Sequence, residues 1–271
     1  MIPDPGPLMW QRVALYAFVA IAVALNLLGV GAIIWLMAQG QNGQDWNFYV
    51  EAGRRAWAGL PVYEWSASYE FRYSPLMAYF FGILAPIGVL GWRIVSLASL
   101  LVLPRRLALV AAASIPLWLD LYAGNVLTII FVLAACAIAG KRWAIGGYLV
   151  ATALIPRPLM LPIAAWLLWK YPAWRLPFAC FITVHVLALL LLDGDGWLRT
   201  FIEGRSDFMS HFDFGPARVI GVVWVPIGLA LAGWLTWKGR LGYASLAASP
   251  YWLPYYPLML LLELRPRDRK P

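Results

Sequence analysis

Val13 to Met37 is a run of 25 residues without a charged side chain. At about 1.5 Å per helical residue it is long enough to cross a hydrocarbon core of about 30 Å. It lacks a cleavage-site pattern and exceeds the apolar stretch of a signal peptide, so it is expected to stay in the chain as a membrane helix. Similar but shorter apolar runs follow to the C-terminal end. With 62% hydrophobic and 13% charged residues, the 271-residue chain carries more apolar surface than a soluble core could cover. These features predict an all-α, polytopic membrane protein of about 8–10 membrane-embedded helical segments, some short or broken, forming one integral membrane domain over 1–271.

The formal charge of +8 does not point to nucleic acid, because the basic residues are scattered singly or in pairs between apolar runs. They read as topology markers and contacts with membrane lipids. Arg105-Arg106, Lys141-Arg142, Lys170 with Arg175, Lys238 with Arg240, and Arg265 to Lys270 all suit one face, which the positive-inside rule makes cytoplasmic. Nine of the thirteen acidic residues fall in two other segments, 38–72 and 193–217. Both are expected to be extracytoplasmic loops carrying interfacial helices. The chain is thus expected to be a multi-pass protein of the cell membrane with both termini cytoplasmic.

The predicted path takes a second span from Tyr73 inward to Trp92-Arg93, leaves 93–103 open, and rises from Leu107 to Tyr122. An outer turn follows at Gly124-Asn125. Val126 to Gly140 descends, and Trp143–Ile155 and Leu159–Trp169 make an up-and-down pair around Pro156-Arg157-Pro158. Phe178 to Leu192 rises and Arg218 to Trp237 returns. Prolines 250, 254 and 257 interrupt Leu241 to Leu264, predicting a bent helix or an outward-facing hairpin. The short pairs are expected to pack around a cavity or groove.

The first outer loop carries Gln44-Asp45-Trp46-Asn47-Phe48-Tyr49. From Asp45 to Ala58 it reads as a short helix with Asp45 as its cap, and Asp45, Tyr49 and Ala52 share a face by their spacing. Trp197 to Phe212 reads as a second interfacial helix. Arg72 and Arg157 both fall at the outer side, where a guanidinium can hold two phosphate oxygens, although Arg157 could also snorkel to the interface. His211 is either a pocket residue or a polar surface residue, and His185 suits a buried hydrogen bond. Cys136 and Cys180, both within apolar runs, read as buried small hydrophobes. No His/Cys/Asp cluster marks a zinc site and no Gly-x-x-x-x-Gly-Lys loop is present, so no cofactor is predicted and the metal requirement stays open.

The motifs Asp45-x-x-x-Tyr49-x-x-Ala52, Gly59-x-x-x-Tyr63 and Phe71-x-Tyr73-x-Pro75, then Ala85-Pro86, resemble the polyprenyl-phosphate-sugar-dependent glycosyltransferases of the GT-C class, in particular the glycosyltransferase 87 (DUF2029) group. The resemblance continues through Gly124-Asn125, where that group often has Gly-Gln, and Ile155-Pro156-Arg157-Pro158, where a lysine commonly precedes the proline. Ser249-Pro250-Tyr251-Trp252 and Tyr255-Tyr256 resemble its late outer turn. This chain is short for the group.

The resemblance implies a GT-C-like membrane enzyme that moves a sugar, most often mannose, from a polyprenyl phosphate to a lipid or glycan acceptor, with Asp45 as catalytic base and an extracytoplasmic active site. Arg72 and Arg157 are the candidate donor-phosphate ligands. Tyr49, Tyr63, Tyr73, Asn125 and His211 are the candidate pocket residues. Phosphate departs without needing a proton, so one base suffices for an inverting displacement. Two other readings stay open: a transporter or flippase of lipid-linked sugars, and a noncatalytic lipid-binding subunit.

Overall fold

A computed structural model describes residues 7–40, 43–63, 71–192, 196 and 214–264. All of its regular structure is helical, and the protein is an all-α polytopic membrane protein. Among the described residues four helices are long and apolar enough to span a membrane: Ala14–Ala38, Pro75–Val102, Pro172–Leu192 and Ala217–Trp237. A fifth span is possible if the pair Arg105–Ala112 and Ile115–Ala123, bent by 67°, counts as one.

The elements that frame the interior are α1 (Pro7–Ala38), α2 (Gln44–Trp57), α3 (Pro75–Leu84), α4 (Gly88–Ser99), α5 (Arg105–Ala112), α6 (Ile115–Ala123), α7 (Leu127–Ile138), α8 (Arg142–Leu154), α9 (Leu161–Lys170) and α10 (Arg175–Leu192). After them come α11 (Ala217–Ile220), α12 (Trp224–Trp237), α13 (Leu241–Ala248) and the 3-10 segment Tyr256–Leu264. One hydrophobic core runs from Trp46 to Leu262, with α7 and α8 supplying its centre, whereas most side chains of α1, α10 and α12 face outward. The outward faces are apolar, as lipid requires. Cys180 belongs to them: Cys136 is buried but Cys180 is exposed on α10, because the apolar surroundings of that helix are outside the fold.

Local chemistry sets the breaks. Ser74 caps α3 by accepting from the Leu76 amide at 3.2 Å, and Pro75 occupies the first turn, where its missing N–H costs nothing. Gly124 ends α6 in the left-handed region at φ +72, with Trp46 so near that a Cβ would lie 2.7 Å from the Trp46 Cβ. The α5–α6 kink exposes backbone groups within the apolar layer, and Asn26 of α1 takes up both: its amide donates to Ala113 O and accepts from Ile115 N. The uncharged first span therefore also splints a broken one.

One expectation changes here and one open alternative is resolved. The helical run from Pro75 is interrupted at Gly88, φ +64, and Trp46 contacts both Phe81 before the break and Trp92 after it, at 6.1 and 5.2 Å between ring centroids. Trp92-Arg93 therefore does not end the second span, whose helical run continues to Val102. Trp92 Nε1 donates to Asn125 O at 2.9 Å and Arg93 Nε to Leu121 O at 2.9 Å, which puts both residues at the Gly124-Asn125 turn. An isolated arginine resembles an interface marker in sequence, but here it is drawn inside by the carbonyls that end α6. The last run does fold as a hairpin: Gly242 N donates to Glu263 Oε1 at 2.9 Å, pairing α13 with the 3-10 segment and leaving 249–255 at the tip.

Candidate functional site

Four turns meet at one end of the bundle: the start of α2, the Gly124-Asn125 turn, Pro156-Arg157-Pro158, and the hairpin tip at Tyr255. Asp45 lies in the first turn of α2 and is half-buried, but it is not the cap. Gly43 holds the N-cap position at φ 91 without a side-chain bond, so the expected capping role of Asp45 is not realised. Its carboxylate instead accepts from Asn125 Nδ2. The rest of that helical face packs inward as the spacing predicts, with Tyr49 and Ala52 buried. Gly53 permits a backbone-to-backbone approach to α3, since a Cβ there would lie 2.3 Å from Gly82 N.

Asn125 joins the groups. Its Nδ2 donates to Asp45 and, at 2.9 Å, to the Tyr255 hydroxyl; its Oδ1 accepts from Val126 N at 2.7 Å and from Arg157 Nη2 at 3.2 Å. Both donors and both acceptor positions of the amide are used, so its orientation is fixed. Arg157, between two prolines that favour extended backbone, is buried at 8% exposure. Its Nη2 also donates to the Tyr73 hydroxyl, and the guanidinium carbon lies 5.3 Å from the Tyr73 ring centroid and 5.9 Å from that of Tyr256. Tyr49 and Tyr73 share a hydroxyl–hydroxyl bond of 2.9 Å, and Tyr63 donates to Tyr73 O at 2.8 Å.

No carboxylate pairs with Arg157 among the described residues, and its Nη1 is buried without a hydrogen-bond partner. A buried cation so placed carries a desolvation cost, which its bonds to Tyr73 and Asn125 and the two tyrosine ring faces offset. Burial pushes the Asp45 carboxyl above the usual carboxylate range, while the Asn125 amide, the Arg157 charge and the Tyr255 hydroxyl pull it part of the way back. Burial likewise pushes the Tyr73 phenol up to about 12, so it remains protonated. The cluster thus offers a carboxylate able to take a proton, a fixed amide, and a cation with an unused donor.

Of the candidate residues read from sequence, Asp45, Tyr49, Tyr63, Tyr73, Asn125 and Arg157 lie in this one network. Arg72 is exposed, directly before the buried Tyr73. His211 and the second interfacial helix lie outside the described residues, and no metal-holding group of His, Cys, Asp or Glu occurs among the described ones. Sequence reading missed Asp120, fully buried on α6. Its carboxylate accepts from Leu127 N at 3.2 Å and from Thr128 N and Oγ1 at 2.8 and 2.7 Å, capping α7 and holding the turn that carries Asn125. A carboxylate inside the apolar run Leu107–Tyr122 was the signal for it. Tyr255 and Trp92 were visible only as parts of a turn and a span end. Comparison with models of known protein families, with curated proteins and with solved structures found no match.

Proposed function

We propose that the protein is an inverting glycosyltransferase of the membrane that takes a sugar, mannose in the first instance, from a polyprenyl-phosphate donor and passes it to a lipid or glycan acceptor. The observation that supports this is the placement of Asp45 and Arg157 on either side of a single fixed amide, the arginine being buried, in direct ion pair with no carboxylate among the described residues, and with Nη1 unbonded. A phosphodiester oxygen is the ligand that such a cation lacks. The Asp45 carboxylate takes the proton of the acceptor hydroxyl as its oxygen attacks the anomeric carbon. The bond from that carbon to the phosphate oxygen breaks with its electron pair, the lipid phosphate leaves against Arg157, and the configuration inverts. Arg72, being exposed, would meet the donor phosphate during entry rather than at the seat of the reaction.

By the positive-inside rule the termini are cytoplasmic and the site extracytoplasmic in the cell membrane. The basic turns Lys141-Arg142 and Lys170 to Arg175 lie one short helix away from the turns of the site.

The test is transfer of labelled sugar from polyprenyl phosphate to lipid and glycan acceptors. Asp45→Asn is expected to lower turnover by about 10² to 10⁴. Its melting temperature should not fall: a carboxyl whose folded pKa is raised stabilises the fold below its unfolded pKa and loses that contribution as pH rises through the folded one, and a neutral amide avoids the loss. Unchanged turnover would reject Asp45 as the base, and substrate crossing a bilayer with its phosphate bond intact would reject transfer altogether.

A further inference from the structure

The opposite ends of α7, α8, α9 and α10 carry a second charged feature, independent of the chemistry at Asp45. Lys141 and Arg142 precede and begin α8, Lys170 ends α9 and Arg175 begins α10; all four side chains are exposed. The two turns abut, since a Cβ on Gly140 would lie 3.2 Å from the Tyr171 hydroxyl and one on Gly146 would lie 2.9 Å from the Trp174 ring. Gly146 is four residues beyond Arg142 and so shares its helical face. No aspartate or glutamate occurs anywhere from Leu121 to Leu192. None of the four cations meets a carboxylate among the described residues.

Aromatic rings are interleaved with these charges. Lys170 Nζ lies 4.5 Å from the Trp166 ring centroid and 5.6 Å from that of Tyr171, while Trp143 and Trp169 project outward at 56% and 67% exposure. Tryptophan and tyrosine settle at the boundary between headgroups and hydrocarbon. Depth strengthens the point. α7 and α8, of 12 and 13 residues, reach only about 18–20 Å, well short of a hydrocarbon core of about 30 Å. The basic turns and the turns at Asn125 and Arg157 therefore cannot both stand clear of the membrane. Arg175 Nε donates to Leu168 O at 2.9 Å, and none of the four cations has a carboxylate among the described residues; with this end of the short helices set among headgroups, phosphate oxygens are the anions they would meet.

We infer that the Lys141–Arg142 and Lys170–Arg175 turns form a binding site for an anionic phospholipid headgroup, its phosphodiester held by the cations and its acyl chains lying along the outward face of α10, where Leu176, Val184 and Leu187 are exposed. The experiment titrates the purified full chain with fluorescent phosphatidylglycerol and, separately, with phosphatidylcholine. Phosphatidylglycerol is expected to bind more tightly, and joint replacement of Lys141, Arg142, Lys170 and Arg175 by glutamine to weaken it by about tenfold or more. Lys141→Arg with Lys170→Arg should keep binding, as should Arg105→Gln with Arg106→Gln, which alters net charge elsewhere. Equal affinity for the two lipids, equal loss in the Arg105/Arg106 variant, or displacement by an equimolar amount of inorganic phosphate would each overturn the site. Should the fourfold variant fail to insert, the two-lipid comparison and the phosphate competition on the unaltered chain still decide.

Discussion

Arg93 and Arg157 are buried to the same extent, 8% exposed each, and sit at the same end of the bundle. Their surroundings differ. Arg93 spends its donors on the carbonyls that end α6, Nε to Leu121 O at 2.9 Å and Nη2 to Tyr122 O at 3.3 Å, where the helix dipole favours a cation. Arg157 meets hydroxyl, amide and ring faces and keeps Nη1 unbonded. Burial alone therefore does not mark a functional arginine. In the proposed transfer it is the unbonded Nη1 that sets Arg157 apart.

Exchanging each arginine for glutamine is the sharpest way to break that comparison. Arg157→Gln should reduce kcat/KM for sugar transfer by roughly 10- to 100-fold, the equivalent of one lost hydrogen bond to a charged group, with little change in melting temperature. Arg93→Gln should do the reverse, lowering thermal stability while the remaining folded protein turns over normally. If Arg157→Gln lost only stability, its role would be that of Arg93.

A smaller backbone effect follows at the turn both arginines approach. Gly124→Ala forces a side chain into the left-handed region beside Trp46 and should cost about 1–2 kcal/mol from the conformation alone, read as a lower unfolding midpoint.

The pH profile sharpens the contrast further. A base works ionised, so transfer should fall as pH drops through the raised Asp45 pKa, placing the acid limb of kcat/KM above the usual carboxylate range. Asn125→Ala removes a bond that lowers that pKa, so the limb should move to still higher pH. Arg93→Gln should leave it in place. The smallest effect is expected away from the site: Asn26→Leu, which strips the α5–α6 kink of its partner, should cost about 0.6–2 kcal/mol in a membrane unfolding assay.

Much of the site was legible residue by residue. Asp45, Tyr49 and Ala52 share a helical face by spacing, and Asn125 and Arg157 stand at turns marked by glycine and proline. Local sequence could not say that Asp45 would turn to Asn125 instead of capping α2, because that choice depends on a residue eighty positions away in the chain. Asp120 and Arg93 illustrate the same limit. An ionisable group in an apolar run signals that a partner exists, but the helix ends that satisfy it are assembled only in three dimensions.

By itself the sequence determined the solvent and the secondary structure: uncharged runs of membrane length must become helices in lipid, and prolines and glycines set where they end. Which turns meet, which arginine is satisfied and which carboxylate faces it were decided only by tertiary packing. Hydrogen-bond partners in a low-dielectric interior are chosen by position in space, and the apolar periodicity that drives burial carries no label for them.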